Sequence, residues 1–188
     1  MEAILKKEII LNKTACRVIG VFFFVILTAL GAFVRIPLPF TPVPITLQTF
    51  FVLLGAAFMG SNLGTVTQLS YIILGVSGLP IFSGTGSGLF YLLGPTAGYL
   101  FGFILAAFLV GKFIKYSRDN LFLTWVILFS CDLILLACGV IWLRVLFNEP
   151  LSILLAIGFM PFILGDLAKA LIVSILYQKL KTRLKEIF

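Results

Sequence analysis

Long apolar stretches separated by short polar or proline-rich breaks run the length of this chain. A helix rises 1.5 Å per residue and the hydrocarbon core of a bilayer is about 30 Å thick, so a spanning helix needs roughly 20 apolar residues. On that measure the pattern predicts six helices, at 16–34, 46–60, 63–77, 94–114, 121–146 and 151–178. The second and third are short and meet at "GSNLG", residues 60–64. They read as a tight helical hairpin whose arms need not each cross the whole membrane. The expected fold is an all-α integral membrane bundle, a single transmembrane domain over residues 1–188.

The breaks are unusual in themselves. Residues 35–45 read "RIPLPFTPVPI", with Pro37, Pro39, Pro42 and Pro44. Proline fixes φ and pushes the preceding residue toward extended geometry, so this loop is expected to be stiff and extended. The loop after the third helix mixes glycines with Phe82, Phe90 and Tyr91. Loops rich in apolar residues fold back onto something. Two of them on one face predict a lid over a pocket.

Composition agrees with the pattern. The chain is 61% hydrophobic and 11% charged, with a mean hydropathy of +1.20. A soluble domain is nearer half apolar and a quarter charged. The net charge of +7 is concentrated: Lys6, Lys7, Lys13 and Arg17 lie before or at the start of the first helix, Lys112, Lys115 and Arg118 cluster around the loop after the fourth, and Lys179, Lys181, Arg183 and Lys185 lie in the C-terminal tail. Arg35 is the one Lys or Arg in the intervening loops 35–45, 78–93 and 147–150, and Arg144 sits at the outer end of the fifth helix. Cytoplasmic loops carry the Lys/Arg excess, so both termini are expected in the cytoplasm. No basic patch is interleaved with exposed aromatics, which argues against nucleic acid. The first apolar run lacks a small-residue cleavage site and reads as a span rather than a signal peptide.

Several chemistries are disfavoured. There is no histidine, and Cys16, Cys131 and Cys138 lack ligand spacing, so a zinc site is not expected. No G-x-x-x-x-G-K-[ST] is present, so ATP binding of the P-loop kind is not expected. Without a nucleophile–base pair, a membrane-embedded transferase is the less favoured reading, and no enzymatic activity is expected. Gly94, Gly98, Gly102 and Ala106 recur every fourth residue, a stripe expected to pack helices closely. Pro95 suits the helix start beside it.

Two positions in the spans are acidic. Asp132 lies near the middle of the fifth helix and reads as a polar contact that locks the bundle, or as a cavity-lining group; the first is preferred. Asp166 and Lys169 are separated by three residues in "GDLAK", so they share a helix face with Cβ atoms about 5–6 Å apart. Each offsets the other's charge, which explains tolerance but not presence, because a buried ion pair often does no better than an apolar pair of equal volume. Ionisable groups at membrane depth mark functional sites by default. Pro161 and Gly165 stand just before the pair, and Pro161 is expected to free the carbonyl of Ile157 within a continuous sixth helix. The pair offers acceptor and donor side by side, suited to a ligand with N–H and C=O or carboxylate groups.

The segments "PLPFTPVPITLQTF" (37–50), "LSYIILGVSGLPIF" (69–82), "GPTAGYLFGF" (94–103) and "GDLAK" (165–169) together resemble the BioY family. Its members are biotin-specific substrate-binding subunits, or S components, of energy-coupling-factor (ECF) vitamin transporters. The resemblance covers nearly the whole chain. It implies a six-helix bundle in the bacterial plasma membrane, surrounded by lipid, with an outward pocket for biotin and no cofactor. It implies partners: a transmembrane coupling subunit and two ATPase subunits. An S component for another vitamin is the alternative. For biotin, Asp166 is expected to accept from the ureido N–H groups, and Lys169 to donate to the ureido oxygen or pair with the carboxylate. Tyr91, Tyr99 and Phe82 are expected to pack on the apolar body, with Thr46 and Gln48 adding hydrogen bonds. The family's small-residue docking motif on the first helix lacks a clear A-x-x-x-A counterpart here; Gly20, Thr28, Ala29 and Ala32 are the candidates for that role, with internal packing as the default.

Overall fold

Helix α1 (Glu2–Phe33) leads into a two-residue antiparallel ribbon, β1 (Arg35–Ile36) with β2 (Ile45–Thr46). The four prolines are thereby tied at both ends, with Arg35 paired to Thr46 and Ile36 to Ile45. Then follow α2 (Gln48–Val76), a 3-10 turn (Leu89–Leu93), α3 (Ala97–Phe113), a second 3-10 turn (Ile114–Ser117), α4 (Leu121–Leu146), α5 (Leu151–Gly158) and α6 (Met160–Leu184). The structure, a computed structural model, describes the backbone of residues 2–184 and the side chains of 13–182. The side chains of Lys6, Lys7, Arg183 and Lys185, counted above among the basic clusters, lie outside the described residues.

Among the described residues, five helical stretches are long and apolar enough to cross a membrane: Lys13–Phe33, Gln48–Val76, Ala97–Ser117, Leu121–Leu146 and Met160–Thr182. The second of these is folded on itself. Gly60 has φ 78° and ψ −178°, a conformation open essentially to glycine alone. The chain reverses there, and Gly64 comes so close to Ala56 that a Cβ on it would lie 3.0 Å from the Ala56 Cα. At the far end Gln48 Nε2 donates to the Tyr71 hydroxyl at 2.7 Å. The hairpin expected at 60–64 is therefore present, but it turns on one residue, and Ser61 and Asn62 are already helical. Its arms of roughly 18 and 24 Å are each shorter than a bilayer core.

The final apolar stretch differs from expectation. Helix 151–178 is not continuous: α5 ends at Gly158, Phe159 has φ −131° and ψ −58°, and α6 begins at Met160. Pro161 therefore sits in a first turn, where its missing N–H costs nothing, and it does not free the Ile157 carbonyl in mid-helix. The carbonyl exposed by the break is that of Gly158, and it accepts the Tyr99 hydroxyl at 2.6 Å.

α2 lies at the centre, against α1, α3 and α6, while α4 closes the other side against α3, α5 and α6. Val52, Leu53, Leu128, Leu135 and Val173 form the dry interior. The small-residue stripe of α3 packs on the α4 backbone: a Cβ on Gly98 would meet the Cys138 carbonyl at 2.7 Å, and one on Gly102 the Leu135 carbonyl at 2.9 Å. Large apolar side chains point outward instead. Ile19, Phe22, Phe23 and Ile26 on α1 are all more than half exposed, the arrangement expected where lipid is the solvent.

The docking candidates on α1 lie mostly on its inner face. Gly20, Thr28 and Ala32 are buried and Ala29 is half-buried. The Thr28 hydroxyl donates to the Phe24 carbonyl one turn back, at 2.8 Å. Gly20, Thr28 and Ala32 thus face the rest of the chain, while Ile19 and Phe22 are exposed.

Candidate functional site

The site is assembled from four distant parts of the chain. Helix α6 presents Asp166 and Lys169 on one face, and their facing atoms, Oδ1 and Nζ, stand 2.8 Å apart. Lys169 Nζ also donates to the Thr46 carbonyl at 2.7 Å and to Thr49 Oγ1 at 3.0 Å. Thr49 Oγ1 in turn donates to Asp166 Oδ1 at 3.2 Å. An ammonium has three donors, and all three find acceptors, from β2, α2 and α6. The network therefore clamps the end of the proline strap to the start of α2 and to α6. Asp166 is 1% exposed. Its Oδ2 meets no donor in the protein.

Above this network lies a cavity of about 50 Å³, lined among others by Thr46, Gln48, Thr49, Tyr99 and Phe162, with Asp166 and Lys169 at its floor. That is room for a few waters. A wider cavity of about 400 Å³ opens beyond it, with Arg35 and Phe90 in its walls. The two share Pro44, Ser83, Tyr91 and Thr96. The two cavities therefore adjoin, one reaching the loops and the other the charged pair.

The residues expected here play different parts. Gln48 lines the cavity, but its polar atoms are committed: Nε2 donates to Tyr71, and Oε1 accepts from Thr46 Oγ1 at 3.2 Å. Tyr71 passes the link on, donating to the Ile81 carbonyl at 2.8 Å. Tyr99 contributes its ring to the wall, packed on Gly139, where a Cβ would fall 2.2 Å from a ring carbon. Tyr91 forms the wall between the two cavities and donates to the Ser83 carbonyl at 3.0 Å. Burial raises its phenol above the ordinary range, against a lowering hydrogen bond with Thr96 and the Arg35 charge, so it remains a neutral donor. Phe82 lines neither cavity. It is wholly buried, edge-on to Tyr71 and stacked on Tyr91 at 4.8 Å, and so backs the wall rather than forming it.

Four participants were not assigned to the site from sequence. Thr49 completes the clamp. Ser83 has a buried hydroxyl oxygen with no partner in the protein and lines both cavities. Arg35 brings a cation to the mouth. Asp132, on α4, is 0% exposed, lies outside the lining, and has two carboxyl oxygens that meet no donor in the protein. Thr49 was the most findable, being next to Gln48 in "ITLQTF". No local pattern marks the others, because each meets the site only through the fold.

The BioY family profile matches residues 6–186. The biotin transporter BioY of Thermotoga maritima is 37% identical over 168 residues, 84% of this chain and 91% of that protein. The probable biotin transporter BioY of Pyrococcus horikoshii is 37% identical over 166 residues, 86% of this chain and 93% of that one. Among solved structures, the S-component for biotin from an ECF-type ABC transporter superposes with a TM-score of 0.85 at 28% identity, covering 91% of this chain and 93% of the other.

Proposed function

The chain belongs to the BioY family, and from that premise we propose that it captures biotin for an ECF-type importer and delivers it with the help of separate subunits. It is a multi-pass membrane protein and a transport component, not an enzyme. The chain has no nucleotide-binding motif, so the energy comes from elsewhere. A transmembrane coupling subunit and two ATPase subunits are the partners inferred for it.

The orientation follows from charge. Lys181 Nζ donates to the Arg118 carbonyl at 2.8 Å, so two basic segments meet at one end of the bundle. The proline strap lies at the other end, held by Lys169, which precedes Lys181 on α6 by about 18 Å of helix. The basic end is taken as cytoplasmic, which turns the pocket outward. With the α2 hairpin counted as two arms and α5–α6 as one crossing, the chain forms a six-helix bundle with cytoplasmic termini.

The observation that carries the biotin reading is the largely buried Asp166–Lys169–Thr49 network lining a cavity beneath the two loops. Biotin has a ureido ring with two N–H donors and a C=O acceptor, an apolar thiophane body and a carboxylate tail. A carboxylate has about four lone-pair positions. Lys169 and Thr49 use those of Asp166 Oδ1, and Oδ2 is left for a ureido N–H. The walls of Tyr99 and Phe162 take the apolar body. The tail then points to the mouth, toward Arg35. Ligand sites typically offer roughly 300–1,000 Å³, so the straps at 37–44 and 78–94 must move outward for biotin to reach the floor.

Isothermal titration of the purified protein with biotin, biotin methyl ester, thiamine and riboflavin tests this. Biotin is expected to bind tightly, the ester more weakly through loss of the Arg35 contact, and the other vitamins not at all. Tight binding of another vitamin with none of biotin would overturn the reading. Equal affinity for biotin and its ester would remove Arg35 from the site.

A further inference from the structure

At the basic end of the bundle lies a cavity of about 420 Å³ that has no part in the site described above. Three segments wall it: the turn of the α2 hairpin at Gly60, the connection between α3 and α4, and the last turns of α6. The hairpin wall is apolar, with Phe58 and Met59. The other two carry three cations, Lys115, Arg118 and Lys181, and one carboxylate, Asp119.

The cations are not equivalent. Lys181 is nearly buried and spends its three donors on the Arg118 carbonyl, Asp119 and Gln178. It thereby takes up the one carboxylate. The Lys115 ammonium rests over the Tyr116 ring at 5.1 Å, a contact that offers it no anion. Among the described residues the Arg118 guanidinium has no hydrogen-bond or ion-pair partner. Two positive charges are therefore left over at this cavity. Tyr177 adds a neutral donor. It lines the same cavity, is 6% exposed and packs its ring on Phe58 at 5.7 Å. Its hydroxyl meets no hydrogen-bond partner among the described residues. Burying a hydroxyl without a partner is unfavourable, so a missing acceptor is expected there.

The depth of the cavity and its apolar wall narrow the ligand. Two of the membrane-crossing stretches end beside it, at Ser117 and Thr182, so its cations stand where the hydrocarbon gives way to lipid headgroups. Inorganic phosphate would satisfy the cations and leave Phe58 and Met59 against water. A phospholipid brings its glycerol and first acyl carbons against them. We propose that this cavity holds the phosphate of an anionic phospholipid, with Arg118 and Lys115 as its cations and the Tyr177 hydroxyl as a third donor. A guanidinium presents two parallel N–H groups to phosphate oxygens, and the ammonium adds a point charge. A choline headgroup carries its own positive charge toward the cluster, so anionic headgroups are selected over zwitterionic ones.

Native mass spectrometry of the intact protein in a neutral detergent, titrated with phosphatidylglycerol or phosphatidylcholine of the same acyl chains, tests this. One phosphatidylglycerol is expected to bind roughly tenfold or more tighter than phosphatidylcholine. Lys115→Gln with Arg118→Gln should weaken phosphatidylglycerol about thirtyfold and remove the preference. Tyr177→Phe keeps shape and charge and should weaken it about fivefold. Lys112→Gln with Lys179→Gln removes the same charge from exposed positions outside the cavity and should leave affinity nearly unchanged. An equal loss in that control would mean diffuse attraction to a basic surface and overturn the site. Equal affinity for the two lipids would overturn it as well. Glycerol phosphate in large excess should not displace the lipid; displacement would make the ligand a free phosphate ester and overturn the lipid assignment. Should the Lys115 and Arg118 double variant fail to fold, unchanged affinity in Tyr177→Phe would overturn the proposal by itself.

Discussion

Lys169 with Asp166 and Lys181 with Asp119 are the same chemical pair, and both lysines stand on α6. Their surroundings differ. The Asp166 side chain is 2% exposed and that of Asp119 is 94% exposed. Lys169 holds three elements together with its three donors. Lys181 is itself nearly buried, bonding to the Arg118 carbonyl and Gln178 as well as to Asp119, but its carboxylate partner sits in solvent. An exposed carboxylate loses little on being separated from its cation, because water solvates it in either state. A sealed one has no such alternative. Solvent at the partner, more than the contact distance, therefore separates the two pairs: the one at the basic end keeps a solvated carboxylate, and the one lining the cavity does not.

The largest contrast should come from removing the cation. Lys169→Met strands Asp166 in the interior and is expected to cost about 3–5 kcal/mol of stability, read by thermal unfolding in detergent without ligand. Replacing both charges, Asp166→Leu with Lys169→Met, should cost less than that single change, since no charge is then stranded, while abolishing the biotin-induced rise in melting temperature. If the double variant is the less stable of the two, the network is a structural lock before it is a binding site.

Asp166→Asn comes next. It preserves shape but exchanges an acceptor-only group for one that is half donor. Biotin affinity should fall by about 2–5 kcal/mol, roughly thirty- to several-thousand-fold, by calorimetry. An unchanged affinity would move the site toward Ser83 and Arg35.

At the basic end of the bundle the effects should be small. Lys181→Met removes donors from the Arg118 carbonyl and Gln178 and should cost about 1 kcal/mol of stability, with biotin affinity untouched. Asp119→Asn is expected to leave both melting temperature and affinity within error. A loss of biotin binding on changing Asp119 would mean that the two ends of α6 are coupled, and the contrast drawn here would fail.

Helix α4 and the break between α5 and α6 show how far the sequence could be read. The fifth predicted helix, 121–146, is matched by Leu121–Leu146. Its signals are local: Asn120 caps the first turn by accepting from the Leu123 N–H at 3.0 Å, and Pro150 ends the apolar run. The break at Phe159 has no comparable mark. The apolar run continues through it, and it persists because Tyr99, on another helix, satisfies the Gly158 carbonyl. Small residues on α1 posed the same difficulty. Small-xxx-small spacing says that something approaches closely, and only the packing of α1 on α2 shows that for Gly20, Thr28 and Ala32 the close partner is within the chain.

The sequence by itself determined the solvent, the number of apolar stretches, the charge asymmetry between the two ends, and the Asp166–Lys169 pair. All of these depend on residue type and on neighbours within a turn or two, and a helix of fixed pitch translates them directly into a face or an end. Tertiary structure decided who meets that pair. Thr46 and Thr49 arrive from 123 and 120 residues away in the chain. Contacts of that kind are set by crossing angles and by which small residues allow close approach, so their meaning as a clamp at the end of a cavity exists only once the helices are packed.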